Sequence, residues 1–184
     1  MKPLRLIVLL CLVVASACGI VRKTPQEKQA EARRIQEMLD ARNYTIDIDY
    51  MIPLRGSGKP VSIHSLRVAG DTLTSYLPYF GEARMVPYGG GKGLNFEEKI
   101  TSYSDSGSSV DSGASAEKRT ITIAVKNEED SYIFTLTVFE GGDTHIHVHS
   151  VNRDDISYHG TLRVEGGVSI IPSGAKNRGW RGQG

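Results

Sequence analysis

Residues 132–150, "YIFTLTVFEGGDTHIHVHS", decide how this chain folds. In the first half Tyr132, Phe134, Leu136 and Val138 alternate with Ile133, Thr135, Thr137 and Phe139, so one face is wholly apolar and the other mixed. In the second half Ile146 and Val148 alternate with His145, His147 and His149. A period of two marks a strand with one buried face, because successive side chains point to opposite sides of the pleat. Between the halves, "EGGD" (140–143) is a short polar turn that makes its neighbours antiparallel. The stretch predicts a β-hairpin with one face in a core.

The same period recurs on either side. "YTIDIDY" (44–50) sets Tyr44, Ile46, Ile48 and Tyr50 against Thr45, Asp47 and Asp49. "TITIAV" (120–125) alternates Ile121, Ile123 and Val125; "ISYHGTLRV" (156–164) alternates Ile156, Tyr158, Leu162 and Val164, with Gly160 between. "VAGDTL" (68–73), "NEED" (127–130) and "NRDD" (152–155) supply further turns. Even strand spacing with short turns predicts a mainly β (α+β) domain over residues 44–165. Its architecture is about eight antiparallel strands in a strongly curved meander or small barrel. Residues 102–116, "SYSDSGSSVDSGASA", carry no apolar alternation and are read as a flexible Ser/Gly hairpin loop.

One helix precedes the strands. Thr24 can cap, Pro25 suits the first helical position and Glu27 completes a capping box. The helix is expected over residues 25–43, stopping at Asn43 in a left-handed conformation. Its apolar stripe of Ala32, Ile35, Met38 and Leu39 is narrow, which suits a surface helix lying on the sheet.

The N-terminus speaks to location. "MKPLRLIVLLCLVVASAC" has Lys2 and Arg5, an apolar run from Leu6 to Val14, then small residues up to Cys18, the layout of a secretory signal. Cleavage after Ala17 of an Ala-x-Ala site is one reading. Lipidation of Cys18 is the other, since Ala15-Ser16-Ala17-Cys18 resembles a bacterial lipobox. Once Cys11 leaves with the signal, Cys18 is the lone cysteine of the mature chain, and an unpaired thiol in an oxidising compartment is a liability. The expectation is therefore a signal peptide at 1–17, a lipidated Cys18 with a tether at 18–24, and an exported protein held in the cell envelope, at the outer membrane or facing the periplasm. The tether reaches about 20 Å at most. Removing residues 1–17 takes Lys2 and Arg5 and no acid, so the formal charge of +1 becomes −1. A near-neutral exported chain is a poor match for nucleic acid. The tail at 166–184, with Lys176, Arg178, Trp180 and Arg181, is read as disordered.

Chemistry is sparse. His145, His147 and His149 share one strand face, opposite the apolar Ile146 and Val148, and are expected to look outward. Neighbouring imidazoles on that face stand about 7 Å apart and the outer two about 13 Å apart, so one ion could take only two of the three. With His159 added, a metal site is a weak alternative, and no cofactor is called for. "YGGGKGLNF" (88–96) fails as a phosphate loop, because Gly93 rather than Ser or Thr follows Lys92. No G-x-S-x-G elbow is present in the chain. The candidate ligand-binding segment runs from Tyr76 to Phe96. Tyr76, Tyr79, Phe80, Tyr88 and Phe96 are aromatics, several with polar tips, that suit sugars, lipids or peptides, while Glu82, Arg84 and Lys92 could orient a ligand. The plainer reading is that these aromatics plug the end of the sheet.

"LPYFG" (77–81), "GLNF" (93–96) and "NRDDISYHG" (152–160) together resemble the domain of unknown function 4251 family over roughly residues 30–165. That resemblance implies a small exported bacterial protein, often with a lipoprotein signal, and carries no activity or catalytic residue. Three functions follow as expectations. The first is a non-enzymatic envelope lipoprotein binding a small or polymeric ligand through the aromatic loop. The second is a structural or assembly factor contacting an envelope protein. The third is a metal-dependent hydrolase built on the histidine strand.

Overall fold

The structure, a computed structural model, describes residues 24–84, 93–110 and 117–164. Helix α1 (Pro25–Asp40) is followed by eight strands: β1 (Asn43–Pro53), β2 (Lys59–Ala69), β3 (Thr72–Leu77), β4 (Leu94–Val110), β5 (Glu117–Lys126), β6 (Ser131–Phe139), β7 (Asp143–Ser150) and β8 (Ile156–Leu162). Each strand pairs antiparallel with the next, and β8 returns to β1, so the meander closes into a barrel.

The alternation read in the sequence is the alternation of burial except at Tyr50: the register shift between Ile48 and Tyr50 turns that tyrosine outward, and Met51 takes the buried place instead. Strand β7 is exposed and buried at strictly alternate residues, and β5 and β6 bury every second side chain. An eight-stranded barrel is just wide enough for side chains to fill it. Here Ile46, Leu66, Leu73, Ile121, Phe134, Leu136 and Ile146 are among those that do. The outer faces carry Thr45, Asp47, Thr122, Thr135 and the three histidines of β7, the reverse of the apolar outer band of a membrane-spanning barrel. No described helix is long and apolar enough to cross a membrane.

Helix α1 starts as expected: the Thr24 hydroxyl accepts from the Glu27 N–H at 3.3 Å, and the Glu27 carboxylate accepts from the Thr24 N–H at 2.7 Å. Its end differs. The helix stops at Asp40, Arg42 takes the left-handed turn (φ 49°), and Asn43 already opens β1. The turn is held from outside by Gly70, whose N–H donates to the Arg42 carbonyl at 2.8 Å.

A second difference is in the Ser-rich stretch. Residues 102–110 are not loop but the continuation of β4, which pairs with β5 as far as Val110 and Glu117. Strand pairing there is backbone pairing, and Ser102, Ser104 and Ser106 are exposed, so no apolar period announced it. Residues 111–116, like the signal region, Cys18, Tyr88, Lys92 and the tail, lie outside the described residues.

Both mouths of the barrel are covered. At the mouth formed by the start of β1 and the β6–β7 turn, Ile35 and Leu39 of α1 are buried, with Ile35 against Gly142. The extended β4–β5 hairpin clamps the helix. Arg119, with its side chain only 10% exposed, donates to Asp105 through Nε and Nη2, to Gln36 at 2.8 Å and to Asp40 at 2.7 Å. Hydrogen bonding to Arg119 holds the Asp105 carboxyl below the usual carboxylate range. Beside it the Tyr44 and Tyr103 hydroxyls meet at 3.4 Å, and burial pushes both phenols up.

Candidate functional site

At the opposite mouth, three stretches far apart in sequence meet. After β3, Pro78 offers its carbonyl to the Tyr158 hydroxyl of β8 at 2.6 Å, and burial pushes that phenol up. Tyr79 turns inward, its hydroxyl donating to the carbonyls of Glu82 (3.0 Å) and Asp154 (3.3 Å). The backbone of residues 82–84 then runs against residues 152–154: Arg84 N–H donates to Asn152 at 2.7 Å, Asp154 N–H donates to Glu82 at 3.0 Å, and Ala83 bridges Arg153. From the third stretch, Gly93 accepts the Tyr132 hydroxyl at 3.4 Å, and Phe96 stacks on Tyr132 with ring centroids 5.1 Å apart. The segments "LPYFG", "GLNF" and "NRDD" thus form one assembly that closes the barrel.

A buried charge cluster underlies it. Asp130 is 5% exposed, and its carboxylate accepts from the Ser150 hydroxyl at 2.5 Å and from the N–H groups of Ser131 and Asn152. Arg153, 6% exposed, donates to Glu129 at 3.2 Å and approaches Asp130 at 3.9 Å, with Tyr79 stacked over its guanidinium at 5.5 Å. A buried carboxylate is tolerable when donors surround it in this way. By local pattern alone, residues 127–130 and 152–155 are short polar turns. The available signal was their density of Asn, Asp and Arg beside apolar strands, where such residues must be solvated or paired.

The expected ligand-binding residues divide. Tyr79 and Phe96 are partly buried and spent on the closure, whereas Tyr76 and Phe80 are about half exposed and face outward. Tyr76 packs on His64 at 5.0 Å, and Phe80 covers the Lys59 ammonium at 4.4 Å. Glu82 pairs with Arg55 at 3.0 Å, while Arg84 lines a separate groove with His149 and Asp155.

The histidines lie on the outside of β7. His145 is registered opposite His159 of β8 and stacks on it at 4.1 Å, nearly parallel; desolvation, then the neighbouring His159, pushes the His145 pKa down. His147 bonds Ser157 through Nδ1 (3.1 Å) and stands 3.4 Å from Asp155 through Nε2, while His149 bonds Asp155 at 2.8 Å. Ser157, His147 and Asp155 form a chain of nucleophile, base and acid types. Ser157 is, however, registered between Ile52 of β1 and His147 of β7. Pairing on both sides commits the Ser157 backbone to the ladders, unlike the free N–H groups that an oxyanion site presents. No group of three or more metal-ligating side chains with workable geometry exists among the described residues.

Fold and site together define a filled, doubly capped eight-stranded antiparallel barrel with a polar exterior. The chain belongs to the family described as "Domain of unknown function (DUF4251)", whose model matches residues 26–162. Its fold is similar to the crystal structure of a DUF4251 family protein from Bacteroides eggerthii DSM 20697, with a TM-score of 0.51 and 14% sequence identity, covering 72% of this chain and 87% of that one. The search of curated proteins found no match.

Proposed function

We propose that this protein is an exported, lipid-anchored and non-enzymatic binding module that meets an envelope protein or polymer on the outside of its barrel. The observation that carries this reading is the filled lumen. A barrel that takes a ligand inside needs an empty interior and an open mouth. Here buried Leu, Ile and Phe side chains occupy the interior, α1 covers one mouth, and the Tyr79–Asp154 assembly covers the other. Recognition therefore falls to outward groups, and Tyr76, Phe80 and Arg84 are the expected binding residues whose side chains are left uncommitted to the closure. The lipobox-like Ala15-Ser16-Ala17-Cys18 supports anchoring.

Two measurements test the reading. Cys18→Ser should release the protein from the membrane fraction or leave its precursor uncleaved, and an intact mass showing unmodified Cys18 in the wild type would overturn the anchor. A photo-crosslinking residue at Phe80 should capture an envelope partner in cells, whereas the same residue at Thr122, on the outer face of β5, should not. Equal yields at both positions would overturn the binding face.

A further inference from the structure

Beside the helix-capped mouth, α1, β1, β2 and the chain leaving β8 enclose a groove of about 430 Å³. Three arginines line it from three separate places: Arg34 from α1, Arg67 from β2 and Arg163 just beyond β8. Their convergence follows from the register. Arg67 sits directly opposite Thr45 of β1, and on the other side of β1 the Arg163 N–H donates to the Thr45 carbonyl at 2.8 Å. Arg34 arrives on the face of α1 next to the buried Ile35.

The charges are unbalanced. Asp47 holds Arg163 through Nε and Nη2. Among the described residues Arg34 and Arg67 make no ion pair, and Glu37 is the single carboxylate lining the groove. Two exposed arginines lining one groove make it attractive to an anion. Guanidinium forks recognise phosphate oxygens in pairs, and Arg34 and Arg67 against the one Glu37 leave the groove a net positive charge with two forks to offer, which suits a phosphate better than a single carboxylate. Met38 and Val164, both partly buried, add an apolar wall, and the volume falls within the range of small-molecule sites.

We propose that this groove binds a phosphate group carried on a small apolar body, with Arg34 and Arg67 as its ligands. The site is independent of the outward loop and of anchoring, and can fail or stand without them. The phosphate could come from a soluble phosphomonoester or from a lipid headgroup, and the test separates the two.

Phenyl phosphate and inorganic phosphate are titrated into the purified full chain, read by calorimetry and by the arginine Nε–H signals in NMR. Phenyl phosphate should bind saturably and more tightly than inorganic phosphate. Arg34→Gln and Arg67→Gln should each weaken it by about tenfold or more, the usual loss for hydrogen bonds to a charged group. Both residues are exposed, so the melting temperature should hold. The absence of saturable binding would overturn the proposal. So would an equal loss on Lys28→Gln with Arg33→Gln, which would mean general charge attraction. Co-sedimentation with phosphatidylcholine vesicles containing phosphatidic acid then identifies the source. A difference between wild type and the double glutamine variant indicates a headgroup, and none, alongside phenyl phosphate binding, indicates a soluble ligand.

Discussion

Gly160 of β8 faces the carbonyl oxygen of Asp47 across the seam that closes the barrel, so tightly that a Cβ at that position would lie far inside van der Waals contact with the oxygen and 3.0 Å from Ile48 Cδ1. The approach arises from an irregularity in β1. Between Ile48 and Tyr50 the pairing shifts: against β8 Asp49 is an extra residue in β1, while on the other side the extra residues, 61–63, lie in β2. The strand bends there, and only a residue without a side chain fits opposite. Gly160→Ala should therefore destabilise the fold by about 3 kcal/mol, at the upper end for an overpacked site, because the obstacle is backbone rather than a movable side chain. Urea unfolding measures it; a loss within about 0.5 kcal/mol, as at an ordinary surface position, would contradict the seam.

The Arg119–Asp105 pair makes the helix clamp sensitive to acid. The folded-state pKa of Asp105 is depressed, first by its hydrogen bond to Arg119, so its contribution is present above the unfolded value of 3.8 and is lost as pH falls through the lower folded value. Stability should fall below about pH 4 in the wild type and fall less steeply in Asp105→Asn. At neutral pH Arg119→Met should cost about 3 kcal/mol, because it strands a partly buried carboxylate. Unfolding curves across pH 2–7 for the three proteins check both statements, and parallel wild-type and Asp105→Asn profiles would refute the first.

Tyr158→Phe removes the hydroxyl that binds the Pro78 carbonyl at 2.6 Å. The net loss should be about 1–2 kcal/mol, since a buried acceptor is left without its donor. Amide exchange is the discriminating readout. Residues 79–84 should exchange faster, while β5 and β6 stay protected in proportion to global stability alone.

The histidine face should contribute little. Changing His145 and His147 together to Thr should alter stability by within about 0.5 kcal/mol, because both are exposed and Thr suits strands. Ile146→Asp should be severe, since Ile146 is 1% exposed and points into the lumen. The depressed His145 pKa means that the unfolded state takes up a proton more readily. Its contribution is whole above about pH 6.5 and declines as pH falls towards the lower folded value, a slope the double variant should lose. Adding a chelator should leave both melting temperatures unchanged; a drop in the wild type alone would point to a bound metal.

Much of this architecture was legible from local pattern. Period-two alternation in β1 and β5–β8, the polar turns between them and the Thr24–Glu27 capping box are properties of adjacent residues, and side-chain direction along a strand depends on little else. The chain also carried its family resemblance openly, in "LPYFG", "GLNF" and "NRDDISYHG". The second half of β4 was not legible, because Ser102 and Ser104 pair through their backbones while offering water a polar surface, and Ser106 sits in an irregularity of the ladder. Arg42 rather than Asn43 ends α1 for a similar reason: the Gly70 N–H, from a different hairpin, holds that turn.

What the sequence by itself determined is which residues face the core, and hence that the strands form one filled β domain behind a short helix. Only the tertiary structure decided that β8 closes on β1, that Arg119 ties the hairpin to the helix, and that Tyr79 is spent on a plug while Tyr76 and Phe80 are left outside. Each of these depends on pairing between residues tens to more than a hundred positions apart. Such contacts are selected by register, backbone clearance and the need to satisfy buried charge, and none of those leaves a period along the chain.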